Sequence, residues 1–490
     1  QDDNGIALFH IHSHFFKPSL HNFGSEGQDL HVILVAQLTS NGPKDTGTSG
    51  VLIVLDEDGG VVVVGSRIAE VGTTAELVSK YPRAEFIDAC GGIIMPGFID
   101  AHTRFYSSLT CGFDLPVSER AEYYEFLHNG RWSIDRHLTL DLVKMSAYAS
   151  IAERIKNGVT TVFDSHASYF EPTGSLGSIA SAVRDCGIRA CLCYETSDRD
   201  GNEKSEFAIS ENLNFYDSIS AMNISTIRAM FGLHSSFTLS DATLRKCVVR
   251  NKGRTGFHIS VSESPDDLYD STQKYGCRPV QRLQNAGVLT PDSLLAHCTY
   301  VDDVGLDIIR RSGSSIVNCP ESDLFNSTGC CPVFKILEKG ITLGIGSDSY
   351  AADMLEVAKM SLSELRHTAG LPNAGFPEVA RILFDGNAKI ASRTFGIPIG
   401  RIQKGAAADI IIMDYIPYTP LSAVNTDRHI IFGMSGHECV MTMAAGRVLM
   451  RNRRLTFARE DILSRKTTAA AEDLWQSVNR DAQNRLLHDE

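Results

Sequence analysis

A hydrophobic stretch at residues 93–101, with the sequence IIMPGFIDA, leads into His102 and Arg104. Two imidazoles two residues apart at the end of a strand are a common way to hold a catalytic metal, because alternate strand residues share a face. Here the second place is an arginine, which stays protonated and cannot ligate a cation. The stretch therefore indicates either a metal enzyme with a changed ligand or a chain that kept its fold and lost this chemistry.

Further polar and titratable side chains stand at the ends of the apolar runs along the chain. They are His102, Asp164, His166, Glu195, His234, Ser260, Glu263, His297, Asn318 and Asp348. A single histidine at a strand end is more often structural than catalytic. Several such groups that converge on one face of the fold indicate a functional site.

The elements that must position these groups alternate regularly. From about residue 93, eight short apolar runs are separated by amphipathic stretches. In the clearest of these, residues 142–156, apolar residues recur at four-residue spacing after Thr139, a candidate N-cap, and the pattern stops at Asn157-Gly158. Eight strand–helix units predict an α/β fold with a closed parallel (β/α)8 barrel at residues 93–398, whose strand carboxyl ends form the active face.

The flanks have a different pattern. Residues 29–92 and 399–455 are rich in Val, Ile and turn glycines, which is typical of strands. Neither flank is long enough for a sandwich alone, so we expect the two to meet in one small β-sandwich. We expect a helical segment at residues 456–490, and a disordered tail at 1–28 whose three alternating histidines are coincidental rather than metal-binding.

Composition narrows the classes of function. The chain has 490 residues, 43% hydrophobic and 21% charged, with a formal net charge of −13, which argues against a nucleic-acid surface. No apolar run is long enough to span a bilayer, and residues 1–28 do not resemble a secretory signal. The twelve cysteines are scattered rather than arranged as a disulfide framework. We expect a cytoplasmic protein with neither nucleic acid nor membrane as partner.

Several motifs, in this order, resemble the amidohydrolase superfamily in its deaminase and chlorohydrolase branch. They are GGIIMPGFIDAHT, HISVSES, LLAHCTY, NCPESD and LGIGSDS. Other stretches, such as RACLCYETSDRDG and FGLHSSFTLSD, look like the SsnA-type aminohydrolases linked to selenium metabolism. The resemblance, over about residues 50–480, implies hydrolysis of a C–N bond other than a peptide bond, such as deamination of a small amino-heterocycle. It also implies a divalent metal, zinc or iron, and a homo-oligomer.

The resemblance implies a role for each matching residue. His102 and Asp348 match metal ligands, and Asp348 also takes a proton from the attacking water. Glu263 matches the proton shuttle. His297 matches a histidine that contacts the hydroxide or substrate and is a ligand in some members. His234 matches a histidine that faces the substrate.

The chain departs from the family pattern at two ligand positions. Arg104 and Ser260 stand where metal-binding histidines are expected, and His258 is retained one barrel layer away. We also expect His166 and Glu195 on the substrate side, although His166 and His258 could equally be structural histidines of the barrel.

Two interpretations remain open at this point. In the first, the chain is a C–N hydrolase with a shifted or weakly held metal. In the second, it is a catalytically impaired ligand-binding or assembly module that binds no metal. In that case the fork of Arg104 pairs with Asp348 or Glu263 and supplies the missing positive charge.

Overall fold

The structure is a computed structural model that describes residues 31–37, 58–422 and 424–488; the tail expected at residues 1–28, with its histidines, lies outside them. The strands are β1 His31–Gln37, β2 Asp58–Val64, β3 Arg67–Thr73, β4 Glu85–Asp88, β5 Ile93–Pro96, β6 Phe98–Thr103, β7 Val159–His166, β8 Arg189–Tyr194, β9 Ile227–Ala229, β10 Phe231–Ser235, β11 Phe257–Val261, β12 Leu294–His297, β13 Ser315–Asn318, β14 Leu343–Ile345, β15 Ile410–Met413, β16 Cys439–Ala444, β17 Arg447–Arg451 and β18 Arg454–Leu455. The α-helices are α1 Thr74–Lys80, α2 Tyr123–Phe126, α3 Trp132–Asp135, α4 Leu140–Lys156, α5 Ser175–Cys186, α6 Asn202–Met222, α7 Asp241–Asn251, α8 Pro265–Tyr275, α9 Pro279–Ala286, α10 Asp303–Ser312, α11 Pro320–Phe325, α12 Val333–Glu338, α13 Met354–Ala369, α14 Phe376–Ala380, α15 Asn387–Phe395, α16 Thr426–Arg428 and α17 Glu460–His488.

The central part of the chain is the predicted parallel barrel. Strands β6 to β9 pair in chain order, as do β10 to β14. Parallel bridges join the two sheets on both sides, at Thr103–Asp348 and at Thr196–Leu233. Strands β9 and β10 are two parts of one predicted run, separated at Met230. The eight predicted runs thus surround one closed core, and the (β/α)8 fold class is confirmed.

Helix α4 shows why the sequence pattern was informative. It begins after Thr139, whose Oγ1 accepts a hydrogen bond from the backbone N of Leu142 at 3.3 Å, and ends before Gly158, which has a positive φ of 77°. Such a φ suits glycine, since a Cβ would be strained there. The apolar residues at four-residue spacing, Val143, Ala147, Ile151 and Ile155, are fully buried. Their burial against the barrel holds the helix in place.

Both flanks contribute to one β-sandwich, as expected. One sheet has the order β3-β2-β1-β4, and the other has the order β18-β17-β16-β15-β5. Their shared core contains Val61 and Ile68 from the first sheet and Ile410 and Met443 from the second. The barrel was predicted to start at residue 93, so strand β5 was expected to belong to it. Instead, β5 pairs antiparallel with β15 of the sandwich. Its continuous apolar run cannot distinguish a sandwich-core strand from a barrel strand.

The predicted C-terminal helical segment is α17. Its Trp475 donates from Nε1 to the backbone carbonyl of Leu109 at 2.6 Å and stacks on Phe113, with ring centroids 5.1 Å apart. Leu109 belongs to the 3₁₀ segment Phe105–Thr110, which directly follows β6. The helix therefore packs on the segment that directly follows the first site residues, His102 and Arg104.

None of the helices in the described ranges has the length and apolar composition needed to cross a membrane. The twelve cysteines all lie within those ranges, and each is a free thiol there.

Candidate functional site

The strand ends bring the candidate residues together at one end of the barrel. The backbone N of Arg104 donates to the carbonyl of Asp348 at 3.0 Å, and the backbone N of Asp348 donates to the carbonyl of His102 at 2.8 Å. Asp348 and His297 have positive φ angles of 52° and 67°. Such angles are costly for residues with a Cβ and collect at functional sites, where the surrounding structure maintains them.

Arg104 lies between two buried carboxylates. Its Nη1 donates to Asp348 Oδ1, while Nε and Nη2 donate to Glu195 Oε1 at 3.1 and 2.7 Å. Burial alone would raise the pKa of Asp348, but the adjacent guanidinium holds it well below its usual range. We call Arg104, Glu195 and Asp348 the arginine cluster. The predicted pairing of Arg104 with Asp348 is confirmed, and the second carboxylate is Glu195 rather than Glu263.

His102 is oriented by His258. Its Nδ1 lies 2.8 Å from His258 Nε2, so one ring donates to the other, and its Nε2 lies 3.2 Å from Asp348 Oδ1. Burial lowers the pKa of His102 to about 4 and that of His258 well below its usual value. The pair is therefore neutral at pH 7. His258, expected one barrel layer away, contacts the site directly.

A second group of acid–base residues lies around His297. Its Nδ1 is 2.8 Å from Asp323 Oδ1, and its Nε2 is 3.6 Å from Glu263 Oε2. Burial alone would lower the pKa of His297, but the carboxylates of Glu263 and Asp323 outweigh it and raise the pKa to about 9. We call Glu263, His297 and Asp323 the imidazole cluster. Tyr123 adds to it by donating from its hydroxyl to Glu263 Oε1 at 2.5 Å.

Two of these contacts were missed from the sequence. Asp323 ends the motif NCPESD, but the motif gave no sign that its carboxylate orients His297. Tyr123 begins α2 and lies 140 residues from Glu263 in the chain, within no motif. The spacing of residues in a loop above the barrel does not indicate which strand end it covers.

The expected substrate-side residues have different surroundings. His234 Nδ1 lies 2.9 Å from Thr238 Oγ1, and its ring packs edge-on against Trp132 at 5.8 Å between centroids. Glu195 is held by Arg104 as described above. His166 is fully buried between tyrosine rings, and its ring nitrogens have no hydrogen-bond partner among the residues described. The role of His166 in substrate binding stays a prediction.

A cavity of about 530 Å³ opens beside the arginine cluster. Its lining includes Arg104, Tyr106, Arg131, Glu321 and Tyr350. The Arg131 guanidinium lies 4.9 Å from the centre of the Tyr350 ring, a cation–π distance. The cavity has the size of small-molecule sites and combines planar and charged walls.

The donors in this region can be tested against a divalent metal. At the two substituted positions they do not fit, because Arg104 is a cation and Ser260 offers only a neutral hydroxyl, whereas zinc takes thiolate, imidazole or carboxylate ligands. Elsewhere, ligand atoms of His102, His297 and Cys319 lie within 4.8 Å of one another, as do those of the imidazole cluster. His297 Nε2 is buried and, in the described part of the chain, unpaired. The residues therefore fit a divalent cation, but not through the paired histidines that the resemblance implies.

A (β/α)8 barrel with buried His, Asp and Glu at its strand ends, joined to a sandwich built from both flanks, defines a class of barrel hydrolases. Residues 93–449, more than half of the chain, match the family described as "Amidohydrolase family". Residues 59–84 match an "Imidazolonepropionase-like composite domain, bacteria". The chain belongs to the amidohydrolase family.

Its relatives include deaminases. The chain is 29% identical over 425 residues to a 5'-deoxyadenosine deaminase of Methanobrevibacter smithii, covering 85% of this chain and 94% of the relative. It is 28% identical over 432 residues to a 5-methylthioadenosine/S-adenosylhomocysteine deaminase of Desulforudis audaxviator, covering 86% and 96%. Its fold is similar to that of a zinc-bound adenosine deaminase from Xanthomonas campestris, with a TM-score of 0.77, 21% identity and coverage of 91% and 98%.

Proposed function

We propose that this protein removes an exocyclic amino group from a small heterocycle by hydrolysis. The observation that carries the proposal is the imidazole cluster, a buried carboxylate–imidazole–carboxylate arrangement beside Asp348. Deamination needs a group that takes a proton from water and delivers it to the leaving nitrogen. The deaminase relatives support this choice of reaction.

Glu263 is the group placed to move the proton. The hydroxyl of Tyr123 holds one of its oxygens, and the other faces His297 Nε2. Asp348, predicted to take the first proton, accepts hydrogen bonds from Arg104 and from Ser322 Oγ, the latter at 2.6 Å. These donors lower its basicity. We therefore assign both proton steps to Glu263.

The remaining roles concern binding and the cation. We place the heterocycle in the cavity that Arg104 lines. His234, Glu195 and His166 keep their proposed substrate-side roles, although none of them lines this cavity. His102, His297 and Asp348 are the residues we propose to hold a zinc or iron ion. When bound, such an ion supplies the Lewis acidity that makes water nucleophilic near neutral pH.

A second candidate function is a ligand-binding barrel without hydrolysis. It is favoured by one observation, the hydrogen bonds from Arg104 to both Asp348 and Glu195, which satisfy these carboxylates internally. In that case the protein would bind amino-heterocycles and release no ammonia.

The test is an ammonia-release assay on purified full-length protein supplied with zinc or iron. The panel would contain adenosine, 5'-deoxyadenosine, 5-methylthioadenosine, S-adenosylhomocysteine and guanine, with binding measured in parallel by calorimetry. We expect ammonia from at least one compound, and its loss in Glu263→Gln. If a compound binds but no ammonia is released, with zinc and with iron alike, the hydrolase proposal is overturned and the ligand-binding barrel without hydrolysis is favoured.

We further propose that the protein works in the cytoplasm, where its free thiols stay reduced, and that it forms a homo-oligomer. Light scattering at working concentration tests the assembly state.

A further inference from the structure

Cys319 is a buried thiol at the barrel mouth for which the mechanism above gives no use. It follows β13 directly and precedes α11, whose Ser322 and Asp323 contact Asp348 and His297. Its side chain is fully buried; its Sγ lies 3.8 Å from the carbonyl of Val317 and also has a hydrogen bond with the backbone of His297. A ligand atom of Cys319 lies within 4.8 Å of ligand atoms of His102 and His297.

The two histidines are oriented as metal ligands usually are. A ligating histidine normally donates its other ring N–H to a carboxylate or another acceptor, which fixes the tautomer. Asp323 takes this role for His297 at Nδ1, and His258 takes it for His102 in the tautomer whose proton is on His102 Nδ1. Each ring therefore presents Nε2 to the site. The Nε2 of His297 is buried, has no hydrogen-bond partner in the ranges described and faces Glu263 Oε2 at 3.6 Å, so it can bind a ligand once the ring has lost a proton.

The surrounding charges favour a bound cation on the side of the site where Cys319 lies. The guanidinium of Arg104 comes within 3.4 Å of His102 Nε2 and covers the β6 side. The guanidinium forms ion pairs with Asp348 and Glu195, whose side chains are 5% and 2% exposed. Glu263 and Asp323 add two further carboxylates near His297. Carboxylates therefore outnumber the single guanidinium, and a cation on the β12–β13 side meets net negative surroundings.

We propose that His102 Nε2, His297 Nε2 and Cys319 Sγ bind a thiophilic divalent cation of the zinc type. Three protein ligands from imidazole and thiolate, with a fourth position left open, are typical of catalytic zinc sites. On binding, the S–H bond of Cys319 and one N–H bond of the His297 imidazolium break, the sulfur and the imidazole nitrogen bind the cation, and both protons pass to solvent. Cys319 takes the third-ligand place that was given to Asp348 above, and Asp348 stays paired with Arg104. This assignment deepens the proposed function and rests on it for the role of the cation.

The first experiment is a Co²⁺ titration of full-length protein stripped of metal with a chelator. Wild type should show a near-ultraviolet thiolate-to-cobalt charge-transfer band that saturates near one equivalent and is abolished by Zn²⁺. In Cys319→Ser the band should be absent and Co²⁺ binding weaker by about tenfold or more. Cys191→Ser is the matched control, because Cys191 is buried in the same barrel-interior cluster and is outside the ligand group. Its band should match that of wild type.

X-ray absorption at the zinc edge tests the same point without a substitution. One sulfur at about 2.3 Å in the zinc shell of wild type is expected. A shell of nitrogen and oxygen alone, or an unchanged cobalt band in Cys319→Ser, would overturn the assignment, as would a wild-type protein that binds no metal.

Neither measurement needs substrate, so the two proposals fail separately. A sulfur-bound zinc in a protein that releases no ammonia would leave this inference standing and remove the hydrolase proposal. Ammonia release together with a zinc shell that contains no sulfur would remove this inference and leave the hydrolase proposal standing.

Discussion

The carboxylates on the two sides of the barrel mouth are paired with different kinds of positive charge. In the arginine cluster, Asp348 and Glu195 are paired with a permanent cation of the chain itself. In the imidazole cluster, Glu263 and Asp323 flank a histidine whose charge can be gained and lost. A fixed counter-charge favours stability, whereas a titratable one favours proton transfer. On the Arg104 side the carboxylates are paired with the chain's own cation, whereas on the His297 side the acid–base residues can still exchange a proton.

The sharpest way to test this contrast is to remove the acid–base function of the imidazole cluster. Glu263→Gln keeps an acceptor for the Tyr123 hydroxyl but cannot move a proton. We expect kcat to fall by about 10²–10⁴-fold with little change in KM, as measured by ammonia release. Tyr123→Phe should give a smaller loss by freeing Glu263. A rise in KM with kcat unchanged would place Glu263 in substrate binding instead.

Substitutions in the arginine cluster should instead lower the free energy of unfolding. Arg104→Ala leaves Asp348 and Glu195 buried without a cation, and we expect a loss of about 3–5 kcal/mol in the free energy of unfolding. Urea denaturation followed by circular dichroism measures it. Arg136→Ala, at an ion pair with more exposed side chains, is the control and should cost less than about 1 kcal/mol. Equal losses in the two variants would contradict the idea that Arg104 replaces the charge of a metal.

The contrast can also be reversed by restoring the family ligands. In Arg104→His combined with Ser260→His, the two positions that the resemblance assigns to metal ligands regain imidazoles. We expect zinc affinity to rise by about 100-fold or more, measured by competition with a chromophoric chelator. Ser260→His alone should give less, since Arg104 still covers the site. Unchanged metal content in the double variant would show that the β6 side no longer has the geometry of a metal site.

A smaller effect is expected from Asp164 at the base of the arginine cluster. It is fully buried, and burial raises its pKa to about 7, although its Oδ1 accepts from the backbone N of Phe105 at 2.7 Å. Since the folded pKa lies above the unfolded value of about 3.9, its contribution to stability is complete below pH 4 and is lost as pH rises through 7.

Asp164→Asn keeps the acceptor for Phe105 and cannot ionise. We expect the stability of the variant relative to wild type to increase from pH 5 to pH 8, by about 3 kcal/mol at most. Thermal melts at both pH values measure it. A difference between the two proteins that does not change with pH would mean that Asp164 is already ionised at pH 5.

The barrel was largely predictable because parallel strands buried on both faces leave continuous apolar runs, and each run ends at a polar residue. Helix α4 was predictable from the cap at Thr139 and the glycine at 158, both local signals. The assignment of β5 was less certain from sequence. Its four residues are all buried, as they would be in either a barrel or a sandwich, so only the pairing with β15 decides.

The sequence predicted which residues lie in the site, but not which of them contact one another. The pairing of Arg104 with Asp348 followed from charge and strand position. The contact between His102 and His258 depends on how side chains tilt into the barrel, which spacing along one strand does not specify. The ligand group that includes Cys319 depends on three strand ends meeting, and a lone cysteine in NCPESD carries no local signal of it.

The sandwich has a consequence for how the chain is made. Strand β5, at Ile93–Pro96, pairs with β15, at Ile410–Met413, which is synthesised more than 300 residues later. At about 5–20 residues per second, the ribosome needs roughly 15–60 seconds to produce the partner. During that time β5 presents an unpaired, wholly apolar edge, the kind of surface that aggregates or recruits chaperones. Yield on overexpression should therefore depend on elongation rate and chaperone supply as well as on the stability of the finished fold.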